Sequence, residues 1–294
     1  MTVLAIFGPT ASGKTAVTEA IAERTPAELI SADSMQVYRG LPILTAQPDR
    51  PTQLVAVWDL GHEASVVEYQ KLAHKAVDGA LERGRTPVVV GGTGLYLRAA
   101  ISDLAPPPPG DRARWERLCD RLGPERAHAL LAEWDPLAAK AVHPNDRRRV
   151  VRALELAEIG ESLRPSRDML WSGETRHPTL VFGLELLREE LDRRIIERTN
   201  AMFDAGVEDE VRRALAGGVS HTARHALGLD EIAQLPREEA IAAVVLRTRR
   251  YAAYQRKWMR KMPDLIRVGA ARPADEVADE ILEVARARER LPAH

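Results

Sequence analysis

The chain has 294 residues, of which 45% are hydrophobic and 29% charged, so it can bury a large core as one elaborated domain or as two domains. The formal net charge is −1, which excludes binding to nucleic acid through an overall positive field. Any contact with a polynucleotide must therefore come from local basic patches.

The single cysteine, Cys119, excludes a disulfide within the chain and argues against a zinc site built from thiolates. No apolar stretch approaches the length of a transmembrane helix, and the N-terminus lacks the basic start and cleavage site of a signal peptide. We therefore expect a cytoplasmic protein that does not enter a membrane.

The first predicted elements are a strand over residues 3–7 and a helix over residues 16–24, with a glycine-rich loop between them. The loop fits G-x-x-x-x-G-K-[ST] at every fixed position, the pattern of a phosphate-binding loop, or P-loop. Its backbone N–H groups and the helix N-terminus would face an anion, and its last hydroxyl would bind Mg²⁺. The alternative is a turn that only caps a helix. The pattern predicts a di- or triphosphate site, with Mg²⁺ on Thr15, formed by Gly8, Pro9, Thr10, Ala11, Ser12, Gly13, Lys14 and Thr15.

A second strand is predicted over residues 28–32, and it ends at Asp33. In an open α/β sheet the chemistry gathers at the carboxyl ends of the strands, which makes Asp33 a candidate base or metal ligand. An aspartate that caps the next turn would have the same sequence pattern, and position alone leaves both interpretations open.

The next segments predict more of the same sheet. Residues 54–59 are predicted as a third strand, and its end at Asp59 loosely resembles a Walker B metal aspartate. A helix is predicted over residues 66–83, stopping at Gly84, and a strand buried on both faces over residues 87–90.

This strand ends in the run Gly91-Gly92-Thr93-Gly94. Glycines at that edge would let a ligand approach the backbone, and Thr93 offers a hydroxyl beside it. The alternative is a tight strand-to-helix turn.

Pro106–Pro109 followed by Gly110 predicts a stiff extended hinge. Residues 111–160 have helical periodicity and almost no β-branched runs, so we predict three or four helices that form an insertion rather than more sheet. Asn145 or Asp146 could cap a helix that carries four arginines in its first turns, where cations oppose the helix dipole and favour a bound anion. A solvated charged face is the alternative. Residues 162–178 are predicted to form a loop.

The sheet is predicted to resume over residues 179–184, followed by a long helix over residues 189–205 that carries Arg194 and Arg198 one turn apart. Residues 240–262 begin apolar and then become basic without any acidic residue. A basic helix with interleaved aromatic rings suits backbone phosphates and base stacking. Its basic and aromatic residues are Arg247, Arg249, Arg250, Tyr251, Tyr254, Arg256, Lys257, Trp258, Arg260 and Lys261.

Three classes of protein use such a P-loop: small-molecule kinases, regulatory NTPases, and transferases in which diphosphate is the leaving group. Two separate arginine-rich elements fit a polynucleotide acceptor better than a metabolite.

Four motifs in one order carry a resemblance to a known family. They are the P-loop, Ile30-Ser31-Ala32-Asp33-Ser34-Met35-Gln36-Val37-Tyr38, Gly91-Gly92-Thr93-Gly94-Leu95-Tyr96, and His143-Pro144-Asn145-Asp146. Together they strongly resemble the tRNA dimethylallyltransferase (tRNA isopentenyltransferase) family, bacterial type, from the first strand to about Lys261. The resemblance implies transfer of a dimethylallyl group from dimethylallyl diphosphate to the exocyclic amine of the adenosine 3′ to the anticodon in tRNA.

The resemblance also implies roles for individual residues. Asp33 resembles the general base, while Thr93 and Arg198 resemble the groups that steady the diphosphate as the allylic C–O bond breaks. Thr10, Lys14 and Thr15 resemble further diphosphate and Mg²⁺ contacts. The implied tRNA-binding residues are Asp33, Ser34, Met35, Gln36, Thr93, Arg112, Arg148, Arg149, Val150, Val151 and Arg152.

The sequence departs from the family pattern at several positions. The usual Thr-Ala-Lys-Pro has Gln47 in place of lysine, and Pro-His-His-Leu has Thr52 and Gln53 in place of the histidines. Ile-Gly-Tyr is replaced by Leu-Gly-Leu ending at Leu229, and Tyr254 replaces an arginine. These changes leave the diphosphate end intact and put part of the tRNA contact surface in question.

We therefore expect an α/β fold: a P-loop NTPase-like parallel sheet flanked by helices, with an inserted all-helical domain. The expected boundaries are 1–110 for the first part of the core, 111–178 for the insertion that contacts the anticodon stem, and 179–294 for the second part of the core with a basic C-terminal helix. We expect a monomer without an obligate protein partner. The competing interpretations are a P-loop small-molecule kinase and an isopentenyltransferase that acts on AMP.

Overall fold

The computed structural model describes residues 1–104, 110–163 and 170–289, and it divides into two units. The first unit comprises Met1–Asp103 and Gly173–His294, and the second comprises Leu104–Ser172. The predicted hinge at Pro106–Pro109 lies outside the described residues, as does the middle of the predicted loop over residues 162–178.

The first unit is built on a five-stranded parallel sheet with strand order β2-β3-β1-β4-β5. The strands are β1 (Val3–Phe7), β2 (Ala27–Ser31), β3 (Thr86–Gly91), β4 (Thr179–Glu185) and β5 (Ile266–Gly269). Its helices are α1 (Lys14–Arg24), α2 (Pro42–Thr45), α3 (Val66–Glu82), α4 (Gly94–Ile101), α9 (Arg188–Asp204), α10 (Val207–Ala216), α11 (Leu229–Gln234), α12 (Arg237–Lys261) and α13 (Ala274–Glu289).

The parallel strands are buried apolar runs, as expected for a sheet flanked by helices. All five residues of β1 are buried, and β1 pairs with β3 on one side and β4 on the other. Leu4 and Ile6 of β1 share one core with apolar residues of α1 and α13, which pack against each other. This arrangement brings the carboxyl ends of β1, β2 and β3 to one edge of the sheet.

The structure corrects the prediction of a strand over residues 54–59. This segment forms one isolated bridge, Trp58 with Tyr38, and the preceding Gln53 forms another with Ile30; neither is part of a strand. Leu54 and Ala56 have φ angles of 64° and 52°, which an extended chain does not adopt.

Several elements were absent from the sequence analysis, among them the helices α2, α10, α11 and α13 and the strand β5. The basic helix that we expected at the C-terminus is α12, and β5 and α13 follow it in the chain. In the described ranges, no helix combines the length and apolar character needed to cross a lipid bilayer.

In its described part, the second unit consists of helices α5 (Arg112–Leu122), α6 (Pro124–Trp134), α7 (Pro136–Ala141) and α8 (Arg147–Glu158). They pack around a core that includes Trp115, Leu131 and Leu154. The Asp146 carboxylate caps α8 by accepting from the Arg149 N–H at 3.2 Å.

Candidate active site

The P-loop begins where β1 ends and turns directly into α1. Gly13 caps α1 with φ 88°, a left-handed conformation that favours glycine. At Gly8, a Cβ would lie 2.8 Å from Ser12 Oγ and 3.2 Å from Leu184 Cβ, so only glycine fits. The backbone of this loop therefore follows a path that the two glycines of the motif make possible.

Lys14 points back over the loop, and its Nζ donates to the carbonyls of Gly8 at 3.0 Å and Pro9 at 2.8 Å. Burial lowers the pKa of Lys14 to about 8, with the Asp33 carboxylate opposing the shift and the Arg198 guanidinium adding to it. The charges of Lys14, Asp33 and Arg198 therefore interact within one site.

Asp33 follows β2 at the carboxyl edge of the sheet, where the Ala32 N–H donates to the Val90 carbonyl at 2.7 Å. Its Oδ1 accepts from the Met35 N–H at 2.9 Å, so the aspartate does stabilise the following turn. Oδ2 makes no hydrogen bond with any described residue and remains available to a ligand. Turn formation and a chemical role are therefore compatible at this position.

A cavity with about 390 Å³ of empty space, part of it open to solvent, lies beside the P-loop. Charged and hydroxyl groups from the P-loop and from β2 face it together with apolar side chains. It is lined by Lys14, Thr15, Thr18, Leu29, Asp33, Gln36, Pro48, Thr52, Val90 and Gly91. The cavity can take an anionic group at one side and an apolar group beside it.

Thr93 forms a hydroxyl cluster with Ser34 and Tyr251. Its Oγ1 accepts from the Ser34 N–H at 3.3 Å and lies 3.3 Å from Ser34 Oγ and 3.4 Å from the Tyr251 hydroxyl. Burial raises the pKa of Tyr251, and the Asp33 carboxylate raises it further, so this phenol stays protonated.

Arg198 of α9 reaches the P-loop, where its Nη1 donates to Thr10 Oγ1 at 2.7 Å. Burial lowers the pKa of this guanidinium, and Asp33 opposes the shift. The other arginine of the pair, Arg194, donates to the Glu190 carboxylate at 2.6 Å instead. Arg198 thus hydrogen-bonds to the P-loop, whereas Arg194, whose guanidinium also lies near Gly13, forms an ion pair with Glu190.

Gln36 and Gln47 fix the chain between β2 and α2. Gln36 accepts from Ser31 Oγ at 2.8 Å and donates to the Ala46 carbonyl at 2.9 Å. Gln47 donates to the Tyr38 carbonyl at 2.7 Å, so this departure from the family pattern has a structural role here.

The run Gly91–Gly94 corrects an expectation, because protein atoms occupy the space that we assigned to a ligand. A Cβ at Gly91 would lie 2.1 Å from the Ala32 carbonyl oxygen, and a Cβ at Gly92 would lie 2.2 Å from Gln255 Nε2. At Gly94 it would lie 2.2 Å from the Trp258 ring. Gly92 and Gly94 therefore serve close packing, whereas Gly91 lines the cavity and Thr93 presents its hydroxyl beside Ser34.

Asp59, which loosely resembled a metal ligand, lies on the surface and pairs with Arg39 at 2.7 Å. In the described ranges, no group of three or more His, Cys, Asp and Glu side chains could hold a metal by itself. Mg²⁺ binds through one or two protein oxygens when phosphate oxygens and water complete its shell. Thr15 lines the cavity, so its hydroxyl fits a Mg²⁺ that binds together with a diphosphate.

In the second unit, Arg148 and Arg149 are exposed on the first turn of α8. Arg148 has no ion pair with any described residue, and Arg149 lies 3.8 Å from the capping Asp146. Arg152 pairs at 2.9 Å with Glu155, whose side chain is buried. Arg112 is exposed on α5 and pairs with Glu116 at 2.9 Å.

Val150 and Val151 correct a further expectation. They are 2% and 1% exposed in the core of the second unit, so their side chains hold α8 in place and do not present a surface to tRNA.

Sequence reasoning missed the role of Gln255, which is buried on α12. It accepts from the Thr10 N–H at 2.8 Å and donates to the Gly92 carbonyl at 2.8 Å, which ties the P-loop to the β3–α4 loop. Tyr251 lies one turn earlier on α12. This role could have been inferred from the sequence, because Gln255 is an uncharged polar residue one helical turn after Tyr251 in an otherwise basic helix.

Sequence profiles of two related families match the chain, IPP transferase over residues 36–262 and isopentenyl transferase over residues 1–53. The tRNA dimethylallyltransferase of Streptomyces coelicolor is 41% identical over 276 residues, which cover 89% of this chain and 88% of that protein. The chain belongs to the IPP transferase family. The tRNA dimethylallyltransferase of Thermobifida fusca is 42% identical over 282 residues, which cover 89% of this chain and 88% of that protein.

Solved structures of family members have the same fold. The full-length tRNA isopentenylpyrophosphate transferase of Bacillus halodurans superimposes with a TM-score of 0.70 at 31% identity, covering 98% of this chain and 97% of that one. A eukaryotic dimethylallyltransferase that acts on tRNA gives a TM-score of 0.77 at 24% identity, over 100% of this chain and 81% of that one, which shows a shared fold.

Proposed function

We propose that this chain transfers a dimethylallyl group from dimethylallyl diphosphate to the exocyclic N6 amine of the adenosine 3′-adjacent to the anticodon in tRNA, releasing diphosphate. The observation that carries the proposal is the cavity in which the Asp33 carboxylate meets Lys14 and Thr15 of the P-loop. Membership of the IPP transferase family, with relatives named tRNA dimethylallyltransferase, supports the same reaction.

In this reaction the P-loop, which resembles that of NTPases, holds the diphosphate of an allyl donor. The leaving group gains negative charge as the C–O bond breaks, and preorganised donors stabilise that charge most strongly where water is excluded. Lys14, Arg198 and the Thr93 hydroxyl are the donors that surround the site. Mg²⁺, held by Thr15 together with the diphosphate, supplies further charge stabilisation when bound.

Asp33 acts at the other end of the reaction. An aromatic amine is a weak nucleophile whose proton becomes acidic as the new C–N bond forms, and a carboxylate at that nitrogen accepts it. The free Oδ2 of Asp33 fits this role because Oδ1 is held by the Met35 N–H. The adenine must leave its stack to reach the cavity. Ser34, Met35 and Gln36 of the turn after Asp33 would receive it, and Gln36 lines the cavity.

The second unit serves as an inserted helical domain that grips the anticodon stem through phosphate contacts. Exposed Arg148 and Arg149 support this role, and Arg112 and Arg152 extend the same basic character. We propose that the protein acts as a monomer without an obligate protein partner. The names of the curated relatives favour tRNA over AMP as acceptor and give no support to a kinase.

The test is to incubate the protein with Mg²⁺ and radiolabelled dimethylallyl diphosphate, giving it unmodified tRNA, AMP or buffer alone, with ATP in a parallel reaction. We expect label in tRNA and none in AMP, with no consumption of ATP. Label in AMP alone would move the acceptor to free nucleotides. Consumption of ATP without transfer of label would support a kinase.

A further inference from the structure

Gln255 is a buried amide that links two loops which lie far apart in the sequence. It is 2% exposed, although it belongs to the basic and otherwise largely exposed second half of α12. Its Oε1 accepts from the N–H of Thr10 in the P-loop, and its Nε2 donates to the carbonyl of Gly92 in the β3–α4 loop, each at 2.8 Å.

The position of Gln255 requires both the oxygen and the nitrogen of its side-chain amide. One partner is a backbone donor and the other a backbone acceptor, and of the uncharged side chains of this length only glutamine offers an acceptor and a donor on one terminal group. The fit is also tight, because a Cβ on Gly92 would lie 2.2 Å from Nε2. A buried polar group that is held on both sides fixes the separation of its partners.

The two loops carry groups that the proposed reaction uses. Thr10 accepts the hydrogen bond of Arg198, and Thr93 directly follows Gly92 and contacts Ser34. The Tyr251 hydroxyl, one turn before Gln255 on α12, lies 3.4 Å from Thr93 Oγ1. One helix thus sets the distance between the P-loop and the hydroxyl cluster around Thr93.

We propose that Gln255 is a positioning residue, which holds the P-loop and the Thr93 loop at the separation required for one diphosphate to contact both. This inference rests on the proposed function for its effect on turnover, but its effect on diphosphate binding can be measured independently of any transfer. Gln255 does not itself contact the reacting atoms.

The first variant is Gln255→Met, which keeps the length of the side chain and removes both hydrogen bonds. Misplacement of reacting groups by about 1 Å costs on the order of 10²-fold in rate, so we expect kcat to fall by about that factor. The KM for tRNA should stay unchanged, because Gln255 is buried and its amide is bonded to two backbone groups of the first unit. The affinity for dimethylallyl diphosphate without tRNA should fall by about tenfold, which corresponds to about 1.4 kcal/mol.

Gln255→Glu is the second variant, in case the first one fails to fold. It keeps the acceptor for the Thr10 N–H and sets an oxygen against the Gly92 carbonyl, so it should also weaken diphosphate binding. Thr248→Val is the matched control, since Thr248 is a buried polar residue on the same helix that has no hydrogen bond to either loop among the described residues. It should bind and turn over as the parent does.

A double-mutant cycle with Thr93→Val separates positioning from a general loss of stability. If Gln255 acts through the Thr93 loop, Gln255→Met should cost less in the Thr93→Val background than in the parent. Effects on kcat that simply add, or an unchanged affinity for dimethylallyl diphosphate in folded Gln255→Met and Gln255→Glu, would overturn the inference. If the parent protein binds diphosphate without modifying tRNA, the proposed function is contradicted. The positioning role of Gln255 would then be tested by the affinities for dimethylallyl diphosphate alone.

Discussion

The surroundings of Lys14 act on its positive charge in opposite directions. Burial disfavours its charged form, the nearby Arg198 has the same effect, and the Asp33 carboxylate is the opposing influence. A dianionic ligand adds the compensating negative charge, so binding of diphosphate should raise the pKa of Lys14 from its value of about 8.

The sign of the resulting pH dependence follows from linkage. Above a pH of about 8 the free protein holds Lys14 neutral, so binding of dimethylallyl diphosphate must take up a proton, and affinity falls as the pH rises through this value. Calorimetry at pH 8 in buffers of different ionisation enthalpy should detect uptake of about half a proton. Lys14→Arg, which stays charged, should bind without this uptake, and equal proton uptake by both proteins would contradict the assignment.

The P-loop and the arginines beside it were only partly predictable from the sequence. The P-loop pattern predicted the loop between β1 and α1, because the backbone path of this loop depends on the glycines of the motif. It could not decide between Arg194 and Arg198, which lie one turn apart on α9. That choice depends on Glu190, which pairs with Arg194 and leaves Arg198 to contact Thr10.

At the scale of elements, the close approach of β2 and β3 depends on Gly91. A side chain there would meet the backbone oxygen of Ala32, which cannot move without shifting the strand that ends at Asp33. The glycine run therefore stabilises the edge of the sheet on which the site is built.

Gly91→Ala should accordingly lower the free energy of unfolding by about 3 kcal/mol, the upper part of the usual range for overpacking a core. The control is Gly61→Ala, since Gly61 is exposed and a Cβ there would meet no atom within 4 Å. Chemical denaturation of both variants measures the difference. Equal stabilities would show that the contact between β2 and β3 is looser than the structure indicates.

The elements found from sequence were those with a strong local pattern. The runs that form β1, β3 and β4, the helical periodicity of α3, and the capped start of α8 were all predicted. β5 was missed because it has only four residues, of which Val268 alone is buried. The segment 54–59 was predicted wrongly because its apolar composition conceals the two left-handed residues, Leu54 and Ala56.

The position of β4 beside β1 was beyond local reasoning. The two strands pair in register from Val3 with Thr179 onward, although the whole second unit separates them in the sequence.

At the scale of the whole molecule, a net charge of −1 leaves tRNA binding to local groups. Many exposed arginines in the described part of the chain are already paired with carboxylates, as Arg147 is with Asp120 and Arg212 with Asp209. Arg148 has no such partner among the described residues and Arg149 has only the helix cap, so their charges are available to phosphates.

The double variant Arg148→Gln with Arg149→Gln should therefore raise the KM for tRNA and reduce the slope of log K against log salt by about 1 per arginine. Arg152 is left intact, because its removal would strand the buried Glu155. Arg212→Gln, which removes an already paired charge, should keep the parent slope. An unchanged slope in the double variant would exclude α8 as a phosphate contact.

The most direct test of the account is a single-turnover measurement on Asp33→Asn with saturating dimethylallyl diphosphate and unmodified tRNA. Loss of a positioned base costs about 10² to 10⁴ in rate, and we expect a fall of that size with the affinity for dimethylallyl diphosphate largely retained. The amide still accepts from the Met35 N–H, so the turn after β2 should persist. Transfer to tRNA at the parent rate would contradict the claim that Asp33 and the P-loop form one prenyl-transfer site.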